Sequence, residues 1–412
     1  MRADSRSFFI KNVFLGAVNM ERKKKKISSQ WTGILIYLMI GACAGILILR
    51  YIEKLSEQGL TAGMHVLLFF LLMASLYAAM LIQIVIHEGG HLIFGLATGY
   101  TFSSFRIYNW MLLREGGSLH LRRLSLAGTG GQCLMGPPDL KEGRMPVLLY
   151  NFGGAIMNLA AAAASLALSF LFPSDSFFNF FLLELTLIGV SFALINGLPM
   201  HSGPVSNDGA NALSLMKNRE AVPAFWLQLK VVEEIAGGGR LRDMPEEWFI
   251  LPDDEAMKNG LMASVGVLCC SRLMDQHRFE EADALMDRLL SIESGIAPLH
   301  RSLMICDRIF LELIGQCRSE VLEGMRTKDQ QKLMKAMKNY PSVLRTEFAA
   351  ALLEKKDIES AAEIEKKFEK CARSYPYPSE IQGERELMQT VRDAWETHNK
   401  TESLPGRKEE ET

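Results

Sequence analysis

Leu81-Ile82-Gln83-Ile84-Val85-Ile86-His87-Glu88-Gly89-Gly90-His91-Leu92-Ile93-Phe94 is the stretch on which the reading of this chain turns. Apolar residues lead into His87-Glu88-Gly89-Gly90-His91 and resume after it. Three ionisable groups therefore stand in or at the edge of a bilayer-like segment, where such groups are costly and mark functional sites. Residues four apart project from one face of a helix, so His87 and His91 can bind one ion through two imidazoles, with Glu88 beside it as a general base for a bound water. The five-residue pattern alone is weak, because surface helices carry such charges freely; its apolar setting gives it weight. Gly89 and Gly90 each lower helix propensity by about 1 kcal/mol relative to alanine, which calls for close helix packing or backbone access by a substrate in return.

Four segments reach the roughly 20 apolar residues that cross a bilayer: about 31–50, 64–86, 146–172 and 177–199. Basic residues near span ends stay cytoplasmic, so Arg22-Lys23-Lys24-Lys25-Lys26 places the N-terminus inside. No clear small-residue cleavage site follows, which reads as a retained anchor. Alternation then puts loop 98–145 on the same side, and that loop carries Arg106, Arg114, Arg122, Arg123, Lys141 and Arg144. Pro173-Ser174-Asp175-Ser176 joins the last two spans as a hairpin, leaving everything after 200 in the cytoplasm. Within loop 98–145, Phe105, Ile107 and Leu119-His120-Leu121 alternate weakly between glycines, which predicts short membrane-associated strands or a hairpin.

The net charge of -2 over 412 residues averages an apolar N-terminal half and a charged C-terminal half, and it carries no bias toward nucleic acid. The seven cysteines show no CxxC pairing, the usage of free thiols in a reducing compartment. From about 220 the chain reads as amphipathic helices of a soluble domain. Two helix-turn-helix stretches align at a separation of 79 residues, Leu273 to Leu289 and Leu352 to Phe368, with Ala282 and Ala361 where helices could cross. They look like tetratricopeptide-type hairpins, although most consensus positions are absent, and an ordinary helical bundle is the alternative. The expected architecture is an all-α polytopic membrane protein with a C-terminal helical domain. Its parts are a basic segment 1–30, a membrane domain 31–215 that carries the His87–His91 motif, a cytoplasmic helical domain 216–400 and a disordered tail 401–412.

A catalytic zinc takes a third protein ligand and leaves its fourth position to water. The cytoplasmic end of the last span reads Asn196-Gly197-Leu198-Pro199-Met200-His201, and Asn207-Asp208-Gly209 follows. Asp208 is the carboxylate candidate, Asn207-Asp208-Gly209 is also an ordinary turn sequence, and His201 is the competing ligand. The inferred topology brings His91 and Asp208 to one side of the membrane.

These residues resemble the site-2 protease family of intramembrane metalloproteases, over roughly 64–215. The resemblance implies His87, His91 and Asp208 as ligands of one zinc ion and Glu88 as base. It also assigns supporting positions to Asn196 and Pro199, and to Asn158 in Gly154-Ala155-Ile156-Met157-Asn158, which reads equally as a small-residue packing face. Pro199 and Asp208 stand nine positions apart, a longer interval than the family's. The implied activity is hydrolysis of peptide bonds in membrane-spanning proteins or hydrophobic peptides, with the helical tail as the candidate for recruiting a cytoplasmic partner. Two other classes fit fewer features: a non-catalytic membrane scaffold, and a transporter using intramembrane ionisable groups.

Overall fold

The structure, a computed structural model, describes residues 34–403 except 37, 57, 58, 60, 116, 124–129 and 201–206. The basic segment 1–30 and His201 lie outside the described residues. The chain is mostly helical, with one small sheet. It divides into two units: residues up to Thr101 with Gly130–Cys133 and Met145–Arg219, and a second unit holding Phe102 onward through the third strand, Leu134–Arg144, and the chain from Glu220.

Among the described residues, four helices of the first unit are long and apolar enough to cross a membrane: α1 (Ile34–Ser56), α2 (Ala62–Ala97), α3 (Leu148–Ser169) and α4 (Phe177–Gly197). Thr61 caps α2 by accepting from the Met64 N–H at 3.4 Å, and Ser176 caps α4 by accepting from Asn179 N–H at 3.1 Å, each satisfying a donor that the first turn leaves open. The bundle is polar inside and apolar outside. Gln83 and Asn158 are fully buried, while Leu67 and Phe70 are 70% and 64% exposed, the inverse of a bundle built for water.

The second apolar segment runs on through the motif, in line with the apolar residues that resume after His91. Helix α2 continues through His87-Glu88-Gly89-Gly90-His91 to Ala97, about 54 Å at 1.5 Å per residue. The reason is packing against α3. A Cβ on Gly90 would meet the Gly153 carbonyl oxygen at 2.3 Å, and one on Gly153 would meet the Gly90 oxygen at 2.6 Å, so the two backbones touch and hold the helix across its weak point. Nothing lies within 4 Å of a Cβ on Gly89.

Loop 98–145 forms more than a hairpin. Strands β1 (Thr101–Ile107), β2 (Trp110–Glu115), β3 (Ser118–Arg123) and β4 (Gly131–Gly136) make a four-stranded sheet in the order β3-β2-β1-β4. Strands β1 and β2 pair antiparallel with Ile107 opposite Trp110, and Tyr108, at φ 51°, turns the two-residue connection. Gly117, at φ 83°, serves the β2–β3 turn. Alternation sends Met111 and Leu113 of β2 to one face, where both are fully buried in the apolar core of the helical unit. Most of the loop, Phe102–Thr129 and Leu134–Arg144, groups with the second unit, whose main part begins at Glu220.

The rest of the second unit is helical, from α6 (Val222–Ala236) through α7 (Gly260–Asp275), α8 (Phe279–Ser291), α9 (Pro298–Ile314), α10 (Ser319–Met325), α11 (Lys328–Ala336), α12 (Pro341–Ala349) and α13 (Ile358–Ala372) to α14 (Pro378–Ser403). Helix α5 (Asp208–Lys217) belongs to the first unit. The separation of 79 residues recurs in the backbone. His277 and Lys356 turn their hairpins with φ 58° and 52°, and Leu289 and Phe368 are each fully buried. Helix α14 runs through Ser403, so the first residues of the expected tail are helical, and 404–412 lie outside the described residues.

Candidate metal centre

The i, i+4 spacing on α2 sets the His87 and His91 rings edge to face with centroids 4.8 Å apart. Their Nε2 atoms are 3.2 Å apart. Asp208, the first residue of α5, brings Oδ2 to 3.2 Å from His87 Nε2 and 3.3 Å from His91 Nε2. Both histidines are 7% exposed.

Which nitrogen carries the proton follows from hydrogen bonds further out. Gln83 Nε2 donates to the Leu185 carbonyl at 2.9 Å, which turns Oε1 toward α3 to accept from Asn158 Nδ2 at 2.7 Å. Asn158 Nδ2 also donates to the Gln83 carbonyl at 2.9 Å, so its Oδ1 is the atom left for His87, whose Nδ1 donates to it at 2.7 Å. His91 Nδ1 donates to the Tyr150 carbonyl at 2.7 Å. A carbonyl oxygen can only accept, so both imidazoles carry hydrogen on Nδ1 and turn the Nε2 lone pair inward.

Two imidazole lone pairs and a carboxylate oxygen thus converge. Three acceptors at this separation require positive charge between them: a proton serves one pair at a time, a divalent cation all three. The spacing suits the second case, because ligands about 2.0–2.1 Å from a tetrahedral zinc lie about 3.3–3.4 Å from one another. Among the described residues these three form the group of histidine, cysteine and acidic side chains placed to share an ion.

Asp208 reaches this position through Asn207. The Asn207 side chain caps α5 by accepting from Ala210 N–H at 2.9 Å, and also accepts from Met200 N–H at 3.2 Å. Its Nδ2 donates at 2.6 Å to both the Ile195 and Leu198 carbonyls. One side chain therefore stitches the end of α4 to the start of α5 across the ten positions between them. Asn196 donates to Phe192 of its own helix at 3.0 Å, and Pro199 follows the end of α4 without joining the three-ligand group.

Gly154 and Asn158 act on the same ring. A Cβ on Gly154 would stand 2.4 Å from His87 Cε1, so glycine gives the imidazole its space while Asn158 aims it. Glu88, 8% exposed, packs against the start of β4, where a Cβ on Gly131 would come within 2.6 Å of its Oε1. Tyr150, besides accepting from His91, donates its hydroxyl to the Cys133 carbonyl at 3.0 Å. Burial and then the Glu88 charge push the Cys133 thiol up to about 12, which keeps it protonated beside the site.

Sequence reasoning missed Gln83, Asn207, Tyr150 and Gly131. Gln83 is detectable as an amide inside an apolar run, and Asn207 as an N-cap before Asp208-Gly209. Tyr150 acts through its backbone carbonyl, and Gly131 through the absence of a side chain. Comparison with protein-family models, curated proteins and solved structures gives no match.

Proposed function

We propose that the chain is a multi-pass intramembrane zinc metalloprotease that cleaves membrane-spanning proteins or hydrophobic peptides near the cytoplasmic face of the cell membrane. The observation that carries this reading is the convergence of His87 Nε2, His91 Nε2 and Asp208 Oδ2 at 3.2–3.3 Å with Glu88 next in sequence. A zinc ion held there would lower the pKa of a bound water toward about 7 and polarise the scissile carbonyl. Glu88 takes the proton of the attacking water and delivers it to the leaving amine. The polar-inside, apolar-outside bundle supports the membrane setting.

A helical substrate shields its own carbonyls and must unwind before attack. Strand β4 lies at an edge of the sheet order, and its first residue packs against Glu88, which favours an extended substrate that adds to this edge. The two helical hairpins 79 residues apart, tetratricopeptide-like in outline, are the proposed docking element for a cytoplasmic partner.

The test is to purify the chain and its Glu88→Gln variant, measure bound zinc and assay cleavage of membrane substrates. Zinc retained with cleavage lost is expected. Equal cleavage by both chains, or absence of zinc from the wild type, overturns the reading.

A further inference from the structure

A second feature of the bundle lies apart from the metal centre. Helices α1, α2 and α4 line a partly open cavity of about 180 Å³ that shares no lining residue with the His87, His91 and Asp208 group. Its wall is formed by Ile40 and Leu47 of α1, Leu76 and Met80 of α2, and Leu187 of α4, together with Glu184. Glu184 is 3% exposed, and its two carboxyl oxygens are short of hydrogen-bond donors. Ser75 is its one hydroxyl neighbour, placed to donate either to Glu184 or to the Leu72 carbonyl at 2.9 Å, and a hydroxyl has one proton to give, so at least one carboxyl oxygen is left without that donor. The other polar side chain of the wall, Ser191, donates to Leu187 of its own helix at 2.6 Å.

Glu184 is also separate from the chain of amides that orients His87, which runs from the Leu185 carbonyl through Gln83 and Asn158. It stands seven residues into α4, about 10 Å along the helix, at a depth where an unpaired acid is costly and marks a site. An apolar cavity of about 150 Å³ stays dry and takes up a benzene-sized molecule. The space here suits one ring with a short polar arm, and the carboxyl supplies the one strong acceptor in its wall.

We propose that this cavity is a binding site for a small lipophilic amine, whose apolar body fills the space between α1, α2 and α4 and whose ammonium group donates to Glu184. The site goes beyond the protease reading and does not depend on it. Opposite charge at short range in a low-dielectric setting gives the amine its advantage over a neutral molecule of the same shape.

The full-length chain in nanodiscs is titrated with para-fluorobenzylamine and with para-fluorotoluene, and binding is read by fluorine NMR. Saturable binding of the amine at least about tenfold tighter than the hydrocarbon is expected. The advantage disappears in Glu184→Gln, and Met80→Trp, which fills the cavity, removes saturable binding of both probes. Equal affinity for the two probes, an advantage that survives Glu184→Gln, or amine binding unchanged by Met80→Trp overturns the proposal. Running the titration in Glu88→Gln as well separates this outcome from the fate of the protease reading, because the assay reads neither zinc nor cleavage.

Discussion

Asn158 and His87 face each other from α3 and α2, Oδ1 to Nδ1 at 2.7 Å, and this contact decides which ring nitrogen turns toward Asp208. Its effect can be measured on the metal alone. Asn158→Ala removes the acceptor and leaves the ring free to turn, so zinc affinity falls by about 10–100-fold, the usual cost of losing such a support. Competitive titration against a chromogenic chelator measures it. Unchanged affinity would show that the ring is held by packing and not by this hydrogen bond.

Gly154→Ala places a methyl group 2.4 Å from His87 Cε1, and the ring must move. Zinc content after purification is expected to fall further than in Asn158→Ala. Gly89→Ala is the control, since nothing lies within 4 Å of its new methyl group, and its zinc content should match the wild type. A reversed order between these two glycines would contradict the packing described for α2 against α3.

Gly131→Ala acts on the other side of the site. The new Cβ falls within 2.6 Å of Glu88 Oε1, displacing the proposed base while His87, His91 and Asp208 stay in place. Zinc binding is retained, and cleavage falls by roughly 100-fold or more, the scale of general-base catalysis. A variant that loses zinc and cleavage together would place Gly131 in the framework of the fold instead.

The helical unit carries a pH dependence of its own. Burial raises Glu380 and Glu384 of α14 to about 7, against the opposing pull of the Tyr375 hydroxyl on Glu380 and of Arg345 on Glu384. Asp307 and Asp275 add negative charge around Glu384. Folded values above the unfolded ones mean that the protonated forms favour folding. This stability is fully present below about 4.5 and is lost as the pH rises through about 7. The loss is moderated because the Glu384 side chain is 17% exposed and lies 3.2 Å from Arg345. Hydrogen exchange over 378–397, corrected for intrinsic rates, should show opening becoming easier between roughly pH 5 and 8. Glu384→Gln should flatten the profile, and a profile that rises in protection with pH would reverse the sign argued here.

Local pattern made much of the membrane unit legible. Apolar run lengths mark the four long helices, and a spacing of four places His87 and His91 on one face. The 79-residue repeat shows in the alignment of Ala282 with Ala361 and returns as matching left-handed turns at His277 and Lys356. The close packing that the low helix propensity of Gly89-Gly90 calls for falls on Gly90, against Gly153, while Gly89 faces open space, a distinction no local pattern gives. The sheet was underestimated because weak alternation in loop 98–145 does not reveal that Met111 and Leu113 are buried against distant helices.

By itself, then, the sequence determined the donor types, the helical spacing of two of them and the apolar setting, since these depend on residues within a turn or a span of one another. Tertiary structure decided how Asp208 reaches the two histidines, which nitrogen each imidazole presents and which glycines are obligatory. Those outcomes depend on Asn207 tying α4 to α5 and on Gln83 and Asn158 relaying one hydrogen-bond direction between helices. Partners separated by 71 and 75 residues meet only when the bundle closes, and no local pattern encodes a contact of that range.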